Sequence, residues 1–470
     1  MKSVPQFKKS LIALFAVGFM FASCTQEDEL LSPDSTVPTY ESITKGLDTK
    51  SVTVVDAQKV ATAFVSNRYG APLSIQASRS AQSIEFIKDS TGKTVAYIIN
   101  SPGAGWVIVS ATKNYHPILA YSSNSDDVFD TSLVSGGLNL WMDDIKEAIY
   151  ASEEQDSITL SHIAGEWEIL SNNPLGVVPP LPGGSSEQAT ACRNRLKYLN
   201  DTYYKDGWTF YTLSAVPSDR VPKNVISSQA SSYGSPQQFT IVGVRDKGTN
   251  IFVDALVKVK WHQCNPLNEY CNGDTAGSAP IAMVQLMSYH KHPAQYDWAT
   301  ANPHMGNASI RQLIAKIGTD MGIKYGSGKL STSVEAANRE FQSLGYNTTL
   351  KSHNMNDVHS EIAFNHRPVF MQGNGKDGMH AWVCDGVKSH SYRYEYYVEY
   401  INSSNNYSTY GESSLSYPDS YVPPIHPTPE FHMNWGWTTS GNDGWFIGDN
   451  IKVPNREYPN NRMNIYVTPK

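Results

Sequence analysis

Hydrophobic and polar positions follow a helical period first. Ala57, Val60, Ala61, Phe64 and Val65 recur at helical spacing behind Thr53 and Asp56, a T-x-x-D start, and this predicts an amphipathic helix over 54–68. Its apolar stripe needs a partner. Three strand-like segments follow at 83–88, 94–100 and 105–110, the first two joined by the turn Asp89-Ser90-Thr91-Gly92. After His116-Pro117-Ile118-Leu119-Ala120-Tyr121-Ser122 a second helix is expected from Leu138 to Ala151, completing a small α+β unit. Residues 172–186 are rich in Pro, Gly, Ser and Asn and read as a linker. Between 190 and 255 a helix at 192–204 and a short strand at 239–242 are expected, without a clear allegiance to either flank. Further on, Ile281, Val284, Leu286 and Met287 make a helix apolar nearly all round, hence buried. Ala381-Trp382-Val383-Cys384 reads as a buried strand, and the polar, tyrosine-studded stretch 402–416 as a surface loop.

The N-terminus changes where the folded part begins. Lys2, Lys8 and Lys9 precede an apolar run from Leu11 to Ala22, too short for a permanent span, so residues 1–23 are expected to be an export signal. Phe21-Ala22-Ser23-Cys24, followed by Glu27-Asp28-Glu29, resembles a bacterial lipoprotein signal, in which Cys24 would be acylated; the alternative is a cut elsewhere that discards Cys24. Residues 24–50 would be a tether. A formal net charge of −7 offers no basic surface to nucleic acid, and contact with a membrane is expected only through the N-terminal lipid. In an oxidising compartment Cys192, Cys264, Cys271 and Cys384 are free to pair, and a bridge from Cys264 to Cys271 would close the loop 265–270. No C-x-x-C pairs occur among them, so neither metal nor other cofactor is expected.

Candidate chemistry gathers around Ser278. Gly277-Ser278-Ala279-Pro280 leads into the apolar helix, Pro280 suits a first helical turn, and residue 278 would sit at the positive helix mouth. Serine there is also a preferred N-cap, which is the plainer reading. Gln263 stands upstream in Trp261-His262-Gln263. His380 follows the Gly-rich turn 373–378, and Asn434-Trp435-Gly436-Trp437 lies near the end.

The pattern Ala-Gly-Ser-x-x-x-Ala-Met-x-Gln-x-Met from Ala276 to Met287, followed by Ser288-Tyr289-His290-Lys291-His292-Pro293, resembles the nucleophile helix of the streptopain family of papain-like cysteine peptidases. Serine stands where the family has cysteine. The resemblance implies nucleophile position Ser278, general base His380, oxyanion donor Gln263 and imidazole-orienting Asn434, with Trp435, Gly277 and Trp437 in support. It also implies an apolar subsite for the residue two before the scissile bond. The order of helix, hairpin, Gly105–Ser110 and Pro117–Ser122 resembles that family's inhibitory propeptide. The expected architecture is α+β: a small propeptide domain at 51–170, a linker at 171–190, and a papain-like module at 191–470, its core from about 255, with a buried helix on an antiparallel sheet.

A serine alters what that constellation can do. Thiols ionise near pH 8.5, and papain-like thiolates are pushed to about 3–4; no comparable shift ionises an alcohol. Serine hydrolases instead place a carboxylate behind the histidine and the nucleophile on a G-x-S-x-G elbow, and here Pro280 replaces the second glycine. Three readings follow: an exported cysteine-endopeptidase zymogen inactivated by Ser278, a pseudopeptidase that binds peptides or proteins, or a serine hydrolase. Expected partners are peptide substrates and the chain's own propeptide.

Overall fold

The structure, a computed structural model, describes residues 31–32, 50–69, 82–122, 124–134, 136–152, 163–167, 170, 186–212, 240–328, 330, 332–375, 378–391, 394–401, 407–409, 428–437, 442–448 and 462–470. The export signal, Cys24, most of the tether, most of the linker and most of the 402–416 loop lie outside them.

Local signals give the expected elements. Thr53 Oγ1 accepts from the Asp56 amide (3.2 Å) and donates to its carboxylate (2.8 Å), starting helix Val54–Tyr69. Asp89 Oδ1 accepts from the amides of Thr91 and Lys93, turning strand Ser83–Lys88 into Thr94–Ser101. Strands Gly105–Ser110 and Ile118–Ser122 continue this sheet, with Val54–Tyr69 packed on one face.

The sheet does not stop at the end of the N-terminal unit. Ile118–Ser122 pairs antiparallel with Gly444–Ile447, matching Ser122 to Gly444, Tyr121 to Trp445 and Ala120 to Phe446. Beyond lie Glu430–Asn434, Gly378–Ser391, Val369–Gly375, Met463–Pro469 and Tyr346–Ser352. Leu31–Ser32 adds the first strand, and Thr249–Val253 joins the outer half of Gly378–Ser391, giving twelve strands. Helices Gly136–Ala151 and Met355–Asn365 cover one face of its C-terminal half; Ser278–His290, Ala308–Asp320 and Val334–Ser343 cover the other. Alternation along Gly378–Ser391 follows the strand period of two: Trp382 and Cys384 join the first core, Ala381 and Val383 the second.

The stretch of unclear allegiance belongs with the C-terminal half. Residues 249–253 pair with 387–391 and residues 240–246 with 394–400 in the same register, from Val253 with Val387 to Thr240 with Tyr400, the second pair forming the centre of a separate four-stranded ribbon sheet. Helix Glu187–Tyr203, which starts inside the expected linker, packs Cys192, Leu196 and Leu199 against Phe210 and Ile241 of this ribbon sheet. Arg195 grips the fully buried Glu399 with both fork nitrogens at 2.8–3.2 Å. One expectation fails: Cys271 is a buried free thiol, so no Cys264–Cys271 bridge closes the 265–270 loop.

Candidate active site

Gly277 takes the N-cap of helix Ser278–His290 at φ +86°, a left-handed conformation that a Cβ would strain. Ser278 is therefore the first helical residue rather than the cap. Its Oγ accepts from the Ala381 amide at 3.1 Å, tying the helix mouth to the strand that carries His380.

His380 is 5% exposed, and its Nε2 faces the Trp435 carbonyl at 3.4 Å. Burial lowers its pKa to about 4, with the Trp435 carbonyl opposing, so the ring is neutral. Trp382 stacks near it (centroids 6.3 Å, 16°), and Trp437 meets it edge-on (5.7 Å, 66°). Helix Gly136–Ala151 presses on it: a Cβ on Gly136 would lie 3.1 Å from His380 Cβ, and one on Gly137 would lie 2.8 Å from His380 Cδ2 and 3.0 Å from Trp435 Cε3. The N-terminal unit thus covers the imidazole.

Asn434 does not meet His380. It is paired in register with Val383, whose side chain joins the Ser278–His290 face, whereas Trp382 and the imidazole lie towards helix Gly136–Ala151. Its Oδ1 accepts from Gln285 Nε2 (2.8 Å) and its Nδ2 donates to the Val259 carbonyl (3.1 Å). Gln285, fully buried in the helix, also donates to the Trp261 carbonyl (2.7 Å). These bonds hold the segment that delivers Gln263. Its start is fixed by Asp385, which accepts from the amides of Leu256 and Val257, and its middle by Lys260, paired with Asp443 at 3.2 Å. Asp443 in turn accepts from the Trp435 amide.

Gln263 is 5% exposed; its carbonyl accepts from Ala276 (2.8 Å), two residues from Ser278, and its Nε2 is buried with no hydrogen-bond partner. A buried, unpaired amide donor linked to a helix mouth is suited to receiving a developing oxyanion. Trp435 is buried in the core with its indole nitrogen unpaired, and Trp437 lies at the site's edge. Among the described residues, the carboxylate–histidine pair buried near this strand is Asp385 with His432 at 2.6 Å, and it does not involve His380. Sequence reasoning missed Gly136, Gly137 and Asp385. The one available signal was the Gly136-Gly137 pair at a helix start, where a close approach by another surface is served by the missing Cβ.

Comparison with known proteins adds three findings. Residues 49–149 match the Spi protease inhibitor family, so that match covers the N-terminal unit and ends within helix Gly136–Ala151. The chain is similar to the streptopain of Streptococcus pyogenes, 21% identical over 231 residues that cover 39% of this chain and 54% of the streptopain; a serotype M1 streptopain gives the same figures. The chain thus spans about half the length of the curated relatives it matches. Prevotella intermedia prointerpain A, in a solved fragment, superposes over 82% of this chain and 98% of that one, at 15% identity and a TM-score of 0.42, too loose to bear on the fold.

Proposed function

We propose that the chain is the precursor of a papain-like cysteine endopeptidase, held latent by residues 51–170, with residue 278 as the nucleophile position and Ser278 leaving this copy inert. The observation that carries the reading is Gly136-Gly137 lodged against His380 while the residue-278 side chain meets the strand just beyond it. The similarity of 49–149 to protease inhibitors and of the chain to streptopain points the same way.

With sulfur at 278, the helix mouth and a freed His380 would favour the thiolate–imidazolium pair. The thiolate attacks the peptide carbonyl, the residue-278 amide and Gln263 Nε2 hold the oxyanion, and His380 protonates the leaving amine. Water then releases the acyl group and returns the proton. Withdrawal of Gly136–Ala151 comes first, since the neutral imidazole faces Trp435. A serine hydrolase is disfavoured because no carboxylate backs His380 among the described residues. A pseudopeptidase is the second reading, favoured by Ser278 itself and by Asn434 being bonded away from the imidazole.

Ser278→Cys decides between them. Full-length Ser278→Cys should process itself to a smaller form and take up a thiol-directed epoxide, and adding His380→Ala should abolish both. A folded Ser278→Cys chain that neither processes nor labels would establish the pseudopeptidase instead.

A further inference from the structure

Helix Gly136–Ala151 does more than cover His380. It lies along a groove with Gly137 on the imidazole, Leu140 on Gly373 and Gly375, the Trp141 indole donating to the Ile447 carbonyl (3.2 Å), and Asp144 paired with Arg462. These positions share one helix face. The groove wall beneath is apolar, formed by Met355, Met371, Met433, Trp382 and Trp435, and encloses a residual void of about 50 Å³ beside the helix.

Two polar side chains interrupt that wall, His353 and the cationic Arg462. Its side chain is 11% exposed, and Asp144 is its only ion-pair partner among the described residues. Its Nε has no hydrogen-bond partner. When the helix leaves, the guanidinium keeps its charge and loses its counter-ion, and an arriving carboxylate would restore a forked pair at the end of an apolar groove.

We infer that Arg462 and this apolar wall form a subsite that recognises a carboxylate on the leaving-group side of a peptide substrate. The inference rests on the peptidase reading above. His380 protonates the leaving amine, so the residues after the scissile bond run past the imidazole and its neighbours Trp382 and Trp435, along the groove that ends at Arg462. The span also fits: seven residues of helix from Gly137 to Asp144 rise about 10 Å, and an extended chain covers that with about three residues. Asp144 therefore stands where the third leaving-group residue would lie.

Processed Ser278→Cys enzyme, assayed on quenched peptides differing only at that residue, should cleave the aspartate peptide with kcat/KM about tenfold above the asparagine peptide. Arg462→Met should erase the preference and Arg462→Lys retain part of it. Peptides ending there as free acid or amide separate a side-chain carboxylate from a chain-terminal one. An independent measurement uses the uncut chain: Asp144→Ala should gain Tm in sodium acetate over sodium chloride at equal ionic strength, and Asp144→Ala/Arg462→Met should not. Cleavage with no carboxylate preference at any of the first four leaving-group positions would overturn the substrate assignment. If Ser278→Cys cleaves nothing, the peptidase reading falls, and the acetate result alone decides whether Arg462 is a carboxylate site: a gain keeps it and no gain ends it.

Discussion

Gly137 has no room for a methyl group. Three aromatic side chains, His380, Trp382 and Trp435, would lie within about 3 Å of its Cβ, and none is the loose end of a flexible chain. Gly137→Ala should therefore lift the N-terminal helix off the imidazole at a cost of about 1–3 kcal/mol. In the Ser278→Cys background the expected result is faster self-processing, read as shortened lifetime of the full-length band; unchanged processing with an unchanged Tm would remove this contact from the account of latency. At this scale the sequence was partly legible. A helix start and a Gly-rich turn leave local marks at Ser278 and His380, but their reading as site residues, and that of Gln263, comes from the family resemblance. The partner of Asn434 was not legible, because which face of a strand its amide takes depends on register with Gly378–Ser391, and register is a long-range property.

Among elements, the seam between Ile118–Ser122 and Gly444–Ile447 is where the two halves of the chain join. Tyr121 leads it: its hydroxyl donates to Glu430 and accepts from Lys388 (2.8 Å), whose ammonium also lies 3.8 Å from the Trp445 ring centroid. A cation held over an indole and bonded to a tyrosine couples the strands by more than backbone bonds. Beside it, the Asn442 amide exchanges two hydrogen bonds of 3.0 Å with the backbone of Asp130. Tyr121→Phe should keep the packing and lose the hydroxyl bonds, lowering full-length stability by about 1–2 kcal/mol in urea titration; no loss would mean that the backbone ladder alone holds the seam. Residues 117–122 were legible as part of the N-terminal unit, whereas the strand at Gly444–Ile447 and its pairing with them were not, since more than three hundred residues separate the two. The pairing of 249–253 with 387–391 and of 240–246 with 394–400 escaped for the same reason.

For the whole molecule, buried histidines set the response to acid. His290, His353 and His380 each have a pKa pushed down to about 4 by burial, while an unfolded histidine titrates near 6.5. Between those values the unfolded chain binds more protons at these sites, so their contribution to stability is present above about pH 6.5 and is lost as pH falls towards 4. Asp144 opposes them: burial raises its carboxyl to about 6, so its contribution is present below about pH 4 and fades as pH rises to 6. Burial also lowers His262 and His359 and raises Asp127 and Glu340; five histidines outweigh three carboxylates, and the urea midpoint should climb from pH 4.5 to pH 6.5 (roughly the span between the two histidine pKa values). His353→Phe should reduce that slope; an equal slope would assign the acid response to other groups.

The uninterrupted sheet separates two events that are easily treated as one. A cut within residues 171–185 breaks the covalent path between the halves but touches no strand of the seam, and helix Glu187–Tyr203 stays anchored to the ribbon through Arg195 and Glu399. The freshly cut product is then a nicked complex, with the N-terminal fragment still seated as a neighbouring strand. On the proposed peptidase reading, onset of activity would be governed by dissociation, a first-order departure whose rate falls with every bond across the seam, so dilution after cutting, rather than cutting itself, would set the moment at which the groove opens.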